Sequence, residues 1–323
     1  FTVTGVNDAP VIAVPVGATM SEDAAPVTVD ALANATDVDH GAVLSVVGVP
    51  AILPAGITYD AATHSFSIDP ANAAFQSLAQ GEMHTYSVSY GVSDGIATTM
   101  TSVNFTVIGV NDAPVVSGPA TATPNEDGQV ATINAFANVV DADDPQHQGH
   151  GLSVKDVSDV LPAGVTYDAA NHRFSLDPSN AAYQSLSAGE TLDVMVNYTV
   201  SDSYVDVATS AIFTVTGRND VATVTGVVEG GAVSENAAAI DLNLLANAVD
   251  VDHLDVLHVK QGQGAAVTAS VTGGTWTAPL SFSAANDHLV LDPGQFNALG
   301  AGETVDLTFN YAVTDGSKSA GDP

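Results

Sequence analysis

The chain has 323 residues, 37 acidic against five basic side chains, a formal net charge of −32 and no cysteine. That balance repels nucleic acid and anionic membrane surfaces, and the missing cysteine removes disulfides, thiolate metal sites and cysteine nucleophiles together. No apolar run approaches the roughly 20 residues of a membrane-spanning helix.

The sequence opens on Phe1-Thr-Val-Thr-Gly-Val-Asn7-Asp8-Ala-Pro10. The phrase returns at Phe105-Thr-Val-Ile-Gly-Val-Asn111-Asp112-Ala-Pro114 and at Phe213-Thr-Val-Thr-Gly-Arg-Asn219-Asp220-Val-Ala222. Asp8 and Asp112 are 104 residues apart, Asp112 and Asp220 108. That period is too long for a solenoid repeat and suits an independently folding domain, so the phrase marks the joint of a tandem array. The expected division is residues 1–8 as the closing strand and linker of a preceding repeat, then repeats at 9–112, 113–220 and 221–323. The third lacks its own closing strand.

Within the first repeat, Val11 to Val14, Val43 to Val47, Tyr86 to Val92 and Val103 to Val107 are short, rich in Val, Thr, Ser and Tyr, and bounded by turn residues, as strands are. Tyr86 to Val92 alternates apolar and polar side chains, and so do Val194 to Val200 and Leu307 to Val313. Such strands put one face on a core and the other in water. An all-β, two-sheet antiparallel sandwich is expected for each repeat. Leu53-Pro-Ala-Gly-Ile-Thr-Tyr59-Asp60 leading to Phe66, with its copy from Leu161 to Phe174, reads as a hairpin. Ala73-Ala-Phe75-Gln-Ser-Leu78, matched at Ala181 to Leu186 and around Phe296, reads as one helical turn plugging the end of the core. The third repeat drifts between Gly262 and Pro279 and holds the single tryptophan, Trp276.

Four acidic stations recur. They are a glutamate past each joint (Glu22, Glu126, Glu235), an Asp-x-Asp pair (Asp37 and Asp39, Asp141 and Asp143, Asp250 and Asp252), the glutamate of a Leu-x-x-Gly-Glu turn (Glu82, Glu190, Glu303), and an aspartate ending the alternating strand (Asp94, Asp202, Asp315). Strands run from pole to pole of a sandwich, so these stations sort by pole. Glu22, Glu82, Asn111, Asp112, Asp141, Asp143 and Asp202 are expected at the first joint, and Glu126, Glu190, Asn219, Asp220, Asp250, Asp252 and Asp315 at the second. Asn7, Asp8, Asp37, Asp39 and Asp94 repeat the pattern at the amino-terminal joint. Two carboxylates 5 Å apart at an effective dielectric near 20 repel by about 3 kcal/mol, so such a joint calls for counter-ions. An all-oxygen donor set suits Ca2+. Asn-Asp, Ser-Asp-Gly and Asp-x-Asp are also good turn formers, which is the plainer use of each motif taken alone.

The joint phrase, the Phe-Gln-Ser-Leu-x-x-Gly-Glu turn and the Tyr-x-Val-Ser-Asp-Gly strand end together resemble the VCBS and related cadherin-like repeats of giant bacterial surface adhesins, often of the RTX type. The likeness extends over nearly the whole chain. It implies a tandem array of three cadherin/Ig-like β-sandwich domains, calcium at the joints, and a secreted or surface-anchored bacterial protein in which such repeats act as extenders. On that pattern Glu126 takes the early glutamate's role, Glu190 the turn's, Asn219 and Asp220 the linker's, Asp250 and Asp252 the loop's and Asp315 the strand end's. The family's turn carries a further Asp that Leu78-Ala-Gln-Gly-Glu82 lacks, which implies fewer ions per joint or weaker binding.

Partners follow from this reading: adjacent repeats of the same chain, or head-to-tail copies of it. Were Phe1 to follow Pro323, it would stand nearly in phase with Phe105 and Phe213. The 323 residues are therefore one period of a longer chain, a strand-donating subunit, or an arbitrary segment. The rival function is a module that recognises exopolysaccharide through calcium, with Trp276 and the His147 to His150 loop as its non-repeating candidates. An enzyme is not expected: the one Gly-x-Ser-x-Gly spelling, Gly91 to Gly95, ends an alternating strand and has no fixed histidine partner, and the recurring His40 and His253 each stand just after Asp-x-Asp. Three sandwiches in line would span roughly 110 to 130 Å at ~3.3 Å per strand residue.

Overall fold

The computed structural model describes residues 1–144, 151–260, 267–274 and 276–316. Among these the chain is all-β, with a single turn of 3-10 helix at Pro293–Phe296. In the first repeat the strands are β1 Val11–Ile12, β2 Val16–Ser21, β3 Val27–Asp30, β4 Ala35–Thr36, β5 Ser45–Val47, β6 Ile57–Asp60, β7 Ser65–Ile68, β8 Met83–Ser93 and β9 Thr98–Ile108. One sheet has the order β2-β9-β8-β5 and the other β3-β7-β6, with a small β1-β4 pair beside the joint. The alternation from Tyr86 to Val92 is realised in β8, where Val88, Tyr90 and Val92 are buried. They pack with Phe66, Phe75, Phe105 and Val107 into one core. Tyr90 carries its hydroxyl into that core and donates it to the carbonyl of Ala31 at 2.7 Å, as a buried phenol must.

β8 and β9 form an 11-residue antiparallel hairpin, Met83 opposite Ile108 through Ser93 opposite Thr98. The remaining contact of β9 is with β2 and is parallel, Val16 opposite Val103 to Ser21 opposite Ile108. The expected sandwich thus holds, with one pair in it parallel: β2, near the start of the repeat, and β9, its last strand, run side by side in the same direction. A chain that enters a repeat at one pole and leaves at the other needs its terminal strands to point the same way.

The second repeat reuses this plan with β10 Val115–Val116, β11 Ala120–Ala122, β12 Ala131–Asn134, β13 Val139–Val140, β14 Ser153–Lys155, β15 Val165–Asp168, β16 Arg173–Leu176, β17 Thr191–Ser201 and β18 Asp206–Thr216. Its sheet orders are β11-β18-β17-β14 and β12-β16-β15, and β11 pairs with β18 in parallel. In both repeats the Leu-Pro-Ala-Gly turn needs its glycine at positive φ (75° at Gly56, 71° at Gly164). Ala73 to Leu78 and Ala181 to Leu186, beyond the hairpins, form turns and not helices, and plug the core as expected: Phe75, Leu78, Tyr183 and Leu186 are buried.

The third repeat departs. It contains β19 Thr223–Val224, β20 Ile240–Asn243, β21 Ala248–Val249, β22 His258–Val259, β23 Thr268–Gly273, β24 Phe282–Ala285, β25 His288–Leu291, β26 Asp306–Asn310 and β27 Val313–Thr314. The β20-β25-β24 sheet matches β3-β7-β6, and its plug is the 3-10 turn with Phe296 buried. The strand expected from Leu307 to Val313 is interrupted, β26 pairing with β23 and β27 with β22. Among the described residues no strand stands where β9 and β18 stand. Phe1 to Val6, expected as a strand, is not one: its residues are exposed and have no ladder partner. The end from Lys318 to Pro323 and the His147 to His150 loop lie outside the described residues. No described helix is long and apolar enough to cross a membrane.

The chain gathers into two compact units, Phe1–Gly118, Phe136–Val157 and Tyr198–Thr209 in one, and Pro119–Ala135, Ser158–Asn197 and Ser210–Pro323 in the other. The first unit contains every residue expected at the first joint, the second every residue expected at the second.

Candidate metal centres at the joints

Each joint is built from the same hydrogen bonds. The strand end supplies Asp202, whose Oδ1 accepts the N–H groups of Tyr204 and Val205 at 2.8 and 2.6 Å, while its Oδ2 accepts Asn111 Nδ2 at 2.9 Å. The amide of Asp112 donates to Asp143 Oδ2 at 3.0 Å, and the amide of Asp143 to Asp141 Oδ1 at 3.0 Å. At the second joint Asn219 Nδ2 donates to Asp315 Oδ2 at 3.2 Å, Asp220 N–H to Asp252 Oδ2 at 2.8 Å, and Asp252 N–H to Asp250 Oδ1 at 2.9 Å. Asn7, Asp8, Asp37, Asp39 and Asp94 repeat the frame at the amino-terminal joint, with Asn7 to Asp94 at 2.9 Å and Asp8 N–H to Asp39 at 2.8 Å.

The glutamate past the joint comes from the preceding repeat. Glu22 follows β2, and the parallel register of β2 on β9 carries it alongside the joint. Its N–H donates to the Ile108 carbonyl at 3.0 Å and its Oε1 accepts from Val110 N–H at 2.6 Å. Glu126 does the same, its Oε1 accepting from Arg218 N–H. These two side chains are 1% and 0% exposed, unusual for a carboxylate without a cationic partner. In each the second oxygen, Oε2, is buried and has no hydrogen-bond partner.

The two glutamates belong to two compact triads. Glu22, Asp112 and Asp143 each offer an oxygen within 4.8 Å of the others, and so do Glu126, Asp220 and Asp252. A third group, Asp250, Asp255 and Asp315, lies at the second joint. Burial first, then the neighbouring charges of Asp112 and Asp143, pushes the Glu22 carboxyl above its ordinary value. Burial followed by Asp220 and Asp252 does so for Glu126. Asp141 is raised by burial and then by the charges of Asp202, Asp144 and Asp112, and Asp143 by burial and then by those of Asp112, Asp141 and Asp202. At the second joint burial heads the causes that raise Asp220, Asp252 and Asp255. Asp94 moves the other way, held low by the amides of Ala97 and Ile96 and by Asn7. Burial would raise Asp202, yet the amides of Val205 and Tyr204 and the side chain of Asn111 hold it low.

A group raised by burial among its own kind is one whose negative charge is poorly compensated by the protein itself. A divalent cation reverses that balance, and the donors here are all hard oxygens, as Ca2+ prefers. Glu22 and Glu126 would each give their free Oε2, with Asp112 and Asp143, or Asp220 and Asp252, completing the set.

The turn glutamates Glu82 and Glu190 sit beside the joints, their carbonyls accepting from the amides of Gly109 and Gly217 at 2.8 and 2.7 Å, and each commits one carboxylate oxygen to its own turn. Glu82 Oε2 accepts from Ala79 N–H at 3.2 Å, Glu190 Oε2 from Ser187 N–H at 3.1 Å and Glu303 Oε2 from Gly300 N–H at 2.7 Å, so each closes its own turn. That turn also fixes the joint glycine. A Cβ on Gly109 would lie 2.2 Å from the Ala79 carbonyl oxygen, and one on Gly217 2.3 Å from that of Ser187.

Asp255 escapes a reading based on recurrence, because the equivalent position in the first repeat is Ala42. Asp144, buried with Oδ2 unpartnered, escapes it too. His253 is not a metal ligand in this arrangement: its Nδ1 lies 2.6 Å from the Ser185 carbonyl and its Nε2 3.5 Å from Glu190. Trp276 is half-buried and packs edge-on against Phe296 at 5.0 Å, so one of its edges is covered by the plug of the third repeat.

Residues 7–107, from the Asn of the amino-terminal joint into β9, match the family model for a bacterial Ig domain (Big_9). No curated protein matches the chain. Among solved structures the chain is similar to four extracellular cadherin domains of protocadherin gamma B7, at 13% identity over 96% of this chain and 77% of that one, with a TM-score of 0.41. It is similar to mouse cadherin-23 EC22-24, at 14% identity over 89% of each chain and a TM-score of 0.45. The human desmocollin-1 ectodomain matches at 12% identity over 96% of this chain and 56% of that one, with a TM-score of 0.34.

Proposed function

We propose that this chain is a calcium-stiffened extender segment of an extracellular bacterial adhesin or filament of the VCBS, RTX-associated kind, in which ions at the joints hold successive Ig-like repeats in a fixed relation. The observation that carries the reading is the pair of buried glutamates, Glu22 and Glu126, each with one oxygen unpartnered and each facing two aspartates of the following joint. Such a carboxylate is costly when charged and alone, and a cation turns the cost into a cross-link between a repeat and its successor. The bacterial Ig match over residues 7–107 supports a structural module at the cell surface. The partners are neighbouring repeats or further copies of the chain.

Small-angle scattering with excess calcium and then with chelator tests this. A profile that stiffens with calcium and loosens on chelation is expected; identical profiles would reduce the acidic stations to turn chemistry and sink the extender reading. Recognition of exopolysaccharide is the rival, and the packing of Trp276 on Phe296 weakens it. Glycan binding in the presence of calcium, lost in Trp276→Ala, would revive it.

A further inference from the structure

We propose that the second joint carries a protein-only clasp, in which Ser185 and Ser187 of one repeat hold the His253 and Leu254 loop of the next, so that loss of calcium opens the first joint and leaves the second closed. The inference rests on the calcium reading above for what opens the first joint; the clasp itself uses no ion. Leu254 N–H donates to Ser187 Oγ at 3.0 Å and His253 N–H to the Ser185 carbonyl at 3.3 Å. His253 Nδ1 lies 2.6 Å from the same carbonyl, and its Nε2 3.5 Å from Glu190 Oε1. Ser187 is 6% exposed. Glu190 ties the serine down on both sides, taking the Ser187 N–H at 3.1 Å and giving its own N–H to the Ser187 carbonyl at 2.9 Å. The hydroxyl is therefore a fixed acceptor shielded from water, where a hydrogen bond is strengthened.

The loop it holds is the one that bears the ion's donors. Asp252 directly precedes His253, accepts from Asp220 N–H at 2.8 Å and gives its amide to Asp250 at 2.9 Å. When the ion leaves, the carboxylates of Glu126, Asp220 and Asp252 repel one another, and the bonds to Ser185 and Ser187 oppose the opening. The first joint cannot build the same clasp. Ala79 stands where Ser187 stands and has no hydroxyl, and Asp144 and Pro145 take the places of His253 and Leu254. A proline has no amide hydrogen to give, and the Asp144 N–H turns to the Asp141 carbonyl at 3.3 Å. Gln80 accepts from the amide of Asn111 at 2.8 Å, a bond that ends on the linker and does not reach the Asp141 to Asp144 loop.

The test is amide hydrogen exchange on the full chain, in calcium and in chelator, for the wild type, Ser187→Ala and Ser187→Thr. In chelated wild type the amides of Asp112 and Asp143 should exchange about tenfold faster or more than in calcium, while those of Asp220, Asp252 and Leu254 keep most of their protection. Ser187→Ala frees the Leu254 amide in either condition. It should speed exchange at Asp220 and Asp252 by about fivefold or more in chelator and little in calcium, and Ser187→Thr, which keeps the hydroxyl, should behave as the wild type. Equal loss of protection at the two joints of the chelated wild type would overturn the clasp and leave the calcium reading standing. Protection that ignores chelation at both joints would end the calcium reading and the contrast between the joints with it. A Ser187→Ala variant that loosens the amides of Tyr183 and Leu186 as much in calcium as in chelator would make Ser187 a part of the plug alone and overturn the proposal.

Discussion

The two joints share a frame and differ in what is hung on it. In both, the linker asparagine bonds the strand-end aspartate, the linker aspartate bonds the second residue of Asp-x-Asp, and a buried glutamate from the repeat before faces them. Beyond the frame, the first joint has Asp144 where the second has His253, and only the second carries the tight Asp250, Asp255 and Asp315 group among the described residues. The shared part is local backbone chemistry that any repeat of this sequence regenerates. The differing part sits in the loop after Asp-x-Asp, where a single residue alters charge and contact without disturbing a strand. Joints of one design can therefore differ in ion affinity and in stiffness.

Removing calcium should have the largest effect and should strike both joints. An ion present at a hundred times its dissociation constant stabilises the state that binds it by about 2.7 kcal/mol. Calorimetry in chelator should thus show lower transitions than in calcium, with the cooperative unit containing the first joint falling further. Equal falls would argue that both joints rest on ions alone. Gly109→Ala and Gly217→Ala should each cost about 1–3 kcal/mol, with or without calcium, because the added methyl meets a carbonyl oxygen in both joints. A tolerated Gly217→Ala would show that the second joint is the more compliant.

Glu22→Gln and Glu126→Gln keep the hydrogen bond to the joint amide and delete the charge. In calcium each should destabilise by about 2 kcal/mol, as the loss of a charge-assisted contact does. In chelator each should be neutral or stabilising, since the raised groups are relieved of a repelling charge. The same sign governs pH. A carboxyl raised on folding contributes stability that is complete below its unfolded value and is lost as pH rises through the folded one. Chelated protein should therefore melt higher in mildly acidic buffer, just above the ordinary carboxylate range, than at neutral pH. Below that range the aspartates held low, Asp94 and Asp202 among them, take up protons and stability falls. With calcium the optimum should move to neutral pH, because protons and ions compete for the same oxygens. His253→Ala should show the smallest change, about 1 kcal/mol, confined to the second joint, where it removes the contacts to Ser185 and Glu190.

Much of this was legible before any fold was known. Alternation along Tyr86 to Val92 and Val194 to Val200 specified which side chains enter the core, because a strand's two faces differ in every second residue. Recurrence picked out Glu22, Asp112 and Asp143, and Glu126, Asp220 and Asp252, and sorting by pole brought them together. The same reasoning groups Glu82 and Glu190 with them, and in each one oxygen, Oε2, folds back on the amide of Ala79 or Ser187. A turn four residues long captures its own carboxylate more readily than a joint beyond it. Asp255 was invisible because it does not recur. The strand through Leu307 to Val313 has the right pattern and still breaks at Tyr311, its two halves pairing with different strands, β23 and β22.

The sequence by itself determined the period, the joints, the strand faces and the kind of donor atom available, all of which follow from composition and spacing within a few residues. Only the tertiary structure decided which oxygens are buried and left without a partner, and that a parallel pairing of β2 with β9, and of β11 with β18, carries each early glutamate alongside the next joint. Those outcomes depend on contacts made across some 90 residues, such as Glu22 with Val110 or Glu126 with Arg218, and chain entropy and packing, not local pattern, select them.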